Sequence, residues 1–359
     1  MEEKIIHGGD IYRNRIQHDF SVNINPLGMP LHVREAIREA ADLCEYYPDI
    51  CAEELRCSIG SMYGVLPEQI LVGNGSSELL IAVVQALKPE KTVIPVPSFY
   101  GYERAALAAD GEIRYIPMSK KHHFGIENEE DLGRLARMLT SDVSLLFLAN
   151  PNNPTGTCIP PELLEALLIH CLENEIIVVL DECFLEFVED GEKRSFLTRS
   201  ERWPNLIVLR AFTKIFAMPG VRLGYLACAD SKLRAQIERQ LPEWNVSAPA
   251  QQAGLAAMEV LRETSYPEET IRFVKEEREH LASGLLEAGT AVFPSEVNFL
   301  LLFSEVPLYE RLLEKGILIR DCSNFRGLEK GYYRVAVKTR KENDILLQTL
   351  AEIIGEGDR

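Results

Sequence analysis

Three side chains stand where covalent chemistry is plausible. Lys214 lies in Arg210-Ala211-Phe212-Thr213-Lys214-Ile215-Phe216-Ala217-Met218-Pro219-Gly220-Val221-Arg222, between a strand-like run and a glycine turn, with an arginine eight residues on. An amine so placed suits a Schiff base to a carbonyl compound, and the arginine suits a phosphate clamp beside it. Asp181 closes the apolar run Ile176-Ile177-Val178-Val179-Leu180. A carboxylate at the end of a buried strand is costly unless a cation or hydrogen-bond donors offset it. Either a cationic ligand pairs with it or it caps a following helix. Asn153, in Asn150-Pro151-Asn152-Asn153-Pro154-Thr155-Gly156, either contacts a ligand or closes a turn in a proline-rich loop. Gly73-Asn74-Gly75-Ser76-Ser77-Glu78 reads as a glycine turn that opens a helix. Backbone N–H groups and the helix dipole make such a start an anion site, to which Ser76 and Ser77 add hydroxyls, although any capped helix has the same pattern.

These residues fall just beyond short β-rich runs: Ile70 to Gly73, Thr92 to Val96, Ser144 to Leu148, Ile176 to Leu180, Leu206 to Leu209 and Tyr225 to Cys228. Runs apolar on both faces and separated by helical stretches predict an α/β architecture, a largely parallel sheet covered by helices on both sides. Open sheets of that kind place ligands beyond their strand ends. After Pro249 the pattern changes to helices over about 250 to 263 and 267 to 288, strands at Asn298 to Phe303 and Tyr333 to Val337, and a last helix over about 340 to 354. We expect an arm over 1–29, either disordered or a lid, a large domain over 30–235, and a smaller α+β domain over 236–359.

The composition narrows the partners. A chain of 359 residues with net charge −17 and pI near 5.0 opposes nucleic acid and anionic membranes, which require a locally basic surface, while a few arginines still suffice for a small anion. No apolar stretch approaches the roughly 20 residues that span a bilayer. Met1-Glu2-Glu3-Lys4 lacks the basic start and apolar middle of a signal peptide, so a cytoplasmic location is expected. The eight cysteines show neither a C-x-x-C pair nor zinc spacing and are expected to be mostly buried thiols. His122-His123, beside Lys120-Lys121, reads as a solvated pair, and no metal is expected.

Asn, Asp, Lys and Arg in this order and at these separations resemble the pyridoxal-phosphate enzymes of the aspartate-aminotransferase superfamily, fold type I, over nearly the whole chain. The resemblance implies a mostly parallel, seven-stranded sheet and pyridoxal 5′-phosphate as cofactor. It implies Lys214 as the covalent lysine, Asp181 as partner of the pyridine nitrogen, and Asn153 as partner of the phenolic oxygen. Phe99, in Pro97-Ser98-Phe99-Tyr100, matches the aromatic that stacks on the ring, although a core aromatic looks identical. Gly75, Ser76, Ser77, Thr213 and Arg222 would cradle the phosphate. Ala211 departs from the Ser or Thr usual three residues before the lysine, which shifts the load to Thr213. Tyr47 resembles a tyrosine that reaches the neighbouring subunit's cofactor, implying a homodimer.

Arg334 matches the arginine that holds the substrate's acidic group, and Arg320 would be a second clamp, the alternative for each being an ion pair. His7, Gly8 and Asn25 complete the expected substrate contacts. Within the superfamily the chain is similar to the branch of histidinol-phosphate aminotransferases and the threonine-phosphate decarboxylases of cobalamin biosynthesis. His7-Gly8-Gly9, Asp19 to Gly28 and Arg334 to Thr339 look more like the decarboxylases, as does Phe184 where aminotransferases carry Tyr three residues after the aspartate. The expected substrate is a small phosphorylated amino acid. The expected reaction is decarboxylation of L-threonine O-3-phosphate, with amino-group transfer as the alternative.

Overall fold

The computed structural model describes residues 8–357. Seven strands form the main sheet, in the order Ile70–Gly73, Gly224–Cys228, Leu206–Ala211, Ile177–Asp181, Leu145–Ala149, Lys91–Val96 and Glu112–Pro117. The first six are buried almost throughout, which is why each reads as an apolar run. Successive side chains point to opposite faces. Val178 and Leu180 join one hydrophobic core with Leu55, Leu164 and Ala253, while Val179 joins the other with Leu80, Ala105 and Leu233. Helices therefore cover both faces, as expected. The seventh strand, Glu112–Pro117, forms an edge, is mostly half exposed, and carries no run that marks it in the sequence.

Only Gly224–Cys228 runs against its neighbours. The other pairings are parallel, so the C-terminal ends of six strands share one edge of the sheet. Gly75, Phe99, Asn153, Asp181 and Lys214 follow or end those strands. The reversed strand delivers Arg222, which precedes it, to the same edge.

A second sheet is antiparallel, in the order Arg320–Asp321, Tyr332–Ala336, Phe299–Phe303 and Ala291–Val292. Its apolar face packs with Leu281 and Leu285 of the helix Tyr266–Glu287 and Leu346 and Leu350 of the helix Arg340–Gly357. Phe20, fully buried, belongs to this third core. From His18 onward the N-terminal segment is an ordered part of the fold, and Ser21, Val22 and Asn23 reach the cavity at the shared strand edge. His18–Asp19 pairs with Ile317–Leu318, and the Phe20 carbonyl accepts from Ala336 N–H at 2.8 Å. Contacts also cross residue 235. The helix Ala248–Glu263 packs on the first core beside the helices Leu31–Glu39 and Glu53–Tyr63.

No helix among the described residues is long and apolar enough to cross a membrane. All eight cysteines are free, but Cys44, Cys51 and Cys57 are exposed, so the expectation of mostly buried thiols holds for only half of them.

Candidate active site

A cavity of about 250 Å³ opens at the shared strand edge, lined by residues of the main sheet, the second sheet and the N-terminal segment. Lys214 lies in the short helix Phe212–Ile215, directly after its strand. Its amine faces the Phe184 ring, 5.6 Å from the centroid. Burial of the amine, and after it the charge of Arg334, draws its pKa down to about 8. More of the neutral nucleophile is then present near neutral pH.

Asp181 is 8 % exposed at the end of its strand. One carboxylate oxygen accepts from the Tyr102 hydroxyl at 2.7 Å, the other from Cys183 N–H at 2.9 Å. Both partners are neutral, so the charge itself remains available to a cation in the cavity. Phe99 lines the same space and meets Tyr102 edge-on at 5.6 Å. The loop that carries Asn153 is tied down from beneath, because Asn152 Nδ2 donates to the Pro97 carbonyl at 3.1 Å and Gly156 N–H to the Asn152 carbonyl at 2.7 Å.

The helix Ser76–Leu87 begins at the cavity, and Ser76, Ser77, Thr213 and Arg222 line it. Gly75 caps that helix with φ +76, and a Cβ there would stand 2.5 Å from Arg222 Nη2. Only glycine leaves room for the guanidinium against the helix start.

Arg320 and Arg334 are register partners on adjacent antiparallel strands, 5 % and 7 % exposed. Among the described residues the hydrogen-bond partners of Arg334 are neutral: Asn153 Oδ1, the Ser21 carbonyl at 2.9 Å, and Asn23, whose amide oxygen accepts from Nη1 and Nε at 3.2 Å each once the amide is turned to face the guanidinium. Arg320 donates to the Asp321 carbonyl and to Asn324 Oδ1 at 2.8 Å, over the Phe325 ring. Burial lowers both pKa values, that of Arg334 to about 10. Among the described residues, neither forms the ion pair that the sequence left open.

Gly8 lines the cavity, and His7 lies outside the described residues. Asn25 does not reach the cavity. Its N–H donates to the Lys214 carbonyl at 3.0 Å, and its Nδ2 donates to the Ile215 carbonyl at 2.9 Å and Thr270 Oγ1 at 2.8 Å. It braces the lysine loop from behind, because its amide is consumed by buried backbone and side-chain partners. Tyr47 is also remote from this chain's cavity, 79 % exposed and packed against Trp244. Residues absent from the expected site line it nonetheless: Ser21, Asn23, Tyr102, Cys183 and Phe325. The alternation of polar residues along Asp19-Phe20-Ser21-Val22-Asn23 is the sequence signal that could have found the first two.

The family model described as aminotransferase class I and II matches residues 15–350. The chain belongs to that family. Threonine-phosphate decarboxylase of Salmonella typhimurium is 35% identical over 340 residues, covering 94% of this chain and 91% of that one. The histidinol-phosphate aminotransferase structure from Clostridium acetobutylicum superposes with TM-score 0.87 at 31% identity, covering 95% of this chain and 100% of that one. The histidinol-phosphate aminotransferase of Sinorhizobium meliloti, solved in complex with pyridoxal-5′-phosphate, shares the fold with TM-score 0.83 at 22% identity, covering 95% and 92% of the two chains.

This class I and II member is therefore a pyridoxal 5′-phosphate-dependent enzyme. Its own residues fit that cofactor. The cavity offers an amine of lowered pKa, a buried carboxylate with neutral partners, and a glycine-capped helix start with an arginine against it.

Proposed function

We propose that the protein decarboxylates L-threonine O-3-phosphate to (R)-1-amino-2-propanol O-phosphate, a step of cobalamin biosynthesis. The observation that carries this reading is the pairing of Arg320 and Arg334, two buried guanidiniums with neutral partners on one wall of the cavity. Two such cations suit a small substrate with two acidic groups, a carboxylate and a phosphate. The likeness to the Salmonella decarboxylase points the same way.

When bound, pyridoxal phosphate supplies an electron sink for a bond broken at the substrate's α-carbon. Lys214 would provide the attaching amine and a proton for that carbon. Asp181 would stabilise a protonated ring nitrogen, Asn153 would donate to the phenolic oxygen, and Phe99 would cover the ring. Gly75, Ser76, Ser77, Thr213 and Arg222 would hold the phosphate. Arg320 and Arg334 would choose the reaction through their grip on the substrate. On different acidic groups, they would leave the α-carboxylate free to depart as CO2. A single arginine gripping that carboxylate would retain it and favour loss of the α-hydrogen.

A homodimer belongs to the same reading. Its support is the exposed apolar surface of Tyr46, Tyr47, Ile50 and Trp244. We also retain a large unit built on the seven-stranded sheet and a small unit built on the antiparallel one.

The second reading, amino-group transfer to 2-oxoglutarate from histidinol phosphate or a similar compound, rests on the likeness to the Clostridium aminotransferase. Incubating the loaded enzyme with threonine phosphate and 2-oxoglutarate separates the two. CO2 release without glutamate supports decarboxylation. Glutamate without CO2 rejects it in favour of transfer.

A further inference from the structure

Tyr102 is the second residue of the helix Gly101–Leu107 and is 1 % exposed. Its ring stacks on Phe147 at 5.2 Å and 8°, and Phe99 stands edge-on to it at 5.6 Å. The phenol is therefore fixed in direction by two aromatic neighbours, and its hydroxyl ends 2.7 Å from Asp181 Oδ2. Gly101 makes this packing possible, because a Cβ there would stand 2.2 Å from the Phe99 ring. Asp181 thus receives one neutral donor on each oxygen, a backbone N–H from Cys183 and a phenol from Tyr102.

We infer that Tyr102 is a positioning residue that keeps Asp181 ionised and aimed at the cofactor's ring nitrogen. The inference rests on the reading of Asp181 as that nitrogen's partner. A hydrogen bond donated to the charged form of a carboxylate favours that form. A neutral donor does this without placing a second positive charge beside a protonated pyridine, as a lysine or protonated histidine would. Burial and the adjacent Asp181 charge hold the phenol's own pKa well above its ordinary value, so Tyr102 stays a donor throughout the working pH range. Without the phenol, the proton shared between carboxylate and ring nitrogen moves toward the carboxylate, and the ring loses its cationic character.

The test uses pyridoxal phosphate labelled with ¹⁵N in the ring, loaded onto wild type, Tyr102→Phe and Asp181→Asn, with nitrogen chemical shift and cofactor dissociation constant as readouts. Tyr102→Phe keeps the stacked ring and removes only the hydroxyl. It is expected to move the nitrogen shift toward the unprotonated value and to weaken cofactor binding roughly tenfold. A wild-type shift and affinity in Tyr102→Phe, with both altered in Asp181→Asn, overturns the role of Tyr102 and leaves Asp181 in place. Wild-type values in both variants overturn the assignment of Asp181, and the inference falls with it. Weaker binding in Tyr102→Phe with an unchanged nitrogen shift also overturns it, because packing alone then explains the loss.

Discussion

Arg320 and Arg334 sit opposite one another in the ladder of the second sheet, and burial depresses the pKa of both. A base whose pKa falls on folding destabilises the fold wherever it is charged, because its charged form loses more hydration than its neighbours restore. The pair is therefore a costly arrangement, and the proposed grip on two acidic groups of a substrate would account for it.

Arg320→Met should stabilise the cofactor-free protein by about 1 kcal/mol, seen as a rise in thermal midpoint of roughly 2 °C. The same substitution should raise KM for threonine phosphate roughly 10- to 100-fold. Calorimetry and steady-state kinetics on one preparation check both. A lowered midpoint with an unchanged KM would show that Arg320 serves structure instead.

Lys214 carries a pH signature of its own. Its pKa drops from 10.5 to about 8 on folding. Between those values the unfolded chain holds a proton that the native amine has released, so stability rises with pH in that window. Below pH 8 both states are protonated and the full burial cost is present. Lys214→Met should therefore be more stable than the cofactor-free wild type near pH 7, with the difference shrinking as pH rises from 8 to 10. Denaturant titrations at pH 7, 8.5 and 10 read this directly, and a difference that grows with pH would contradict it.

Phe184 presents a ring face to the Lys214 amine, 5.6 Å from its centroid, and has no hydroxyl to offer the cofactor. Phe184→Tyr should lower the pH midpoint of the loaded enzyme's visible absorbance by about one unit, since a phenol donates to the deprotonated oxygen beside it. Spectra recorded from pH 5 to 10 measure it. A midpoint that stays or climbs would place residue 184 away from that oxygen.

Behind Asp181, on the opposite face of the sheet, Arg210 is fully buried. Its Nη2 donates to Glu182 at 3.0 Å and to Ser195 Oγ at 2.8 Å, and its Nη1 donates to Glu192 at 2.9 Å. Burial pushes the Glu186 carboxyl up to about 7, and its Oε2 has no partner. Arg210→Met should cost about 3–5 kcal/mol, because the Glu182 carboxylate is left buried without its cation. Glu186→Gln should cost less than about 1 kcal/mol, replacing a carboxyl already half neutral. Equilibrium unfolding of the two variants ranks them, and the reverse order would reject this account.

What the sequence disclosed follows from burial. Strands buried on both faces leave unbroken apolar runs, so six of the seven were legible. Glu112–Pro117 was not, because an edge strand with half-exposed side chains needs no such run. Lys214, Asp181, Asn153 and Arg334 were legible through their motifs, and the structure brings them to one cavity. Asn25 was misjudged because its motif marks a buried requirement that looks, in sequence, the same as ligand contact. Tyr102, three residues after Phe99, carries no motif of its own. Its importance lies in a hydroxyl meeting a carboxylate 79 positions away, which no local pattern encodes.

The Arg334 guanidinium takes the carbonyl of Ser21 as a partner across 313 positions of chain. A nascent polypeptide therefore cannot close this wall of the pocket until the strand Tyr332–Ala336 has left the ribosome, long after the segment that carries Ser21. Ser21 is held locally by Asp19 and Gly9, but its carbonyl waits for an arginine synthesised 313 residues later.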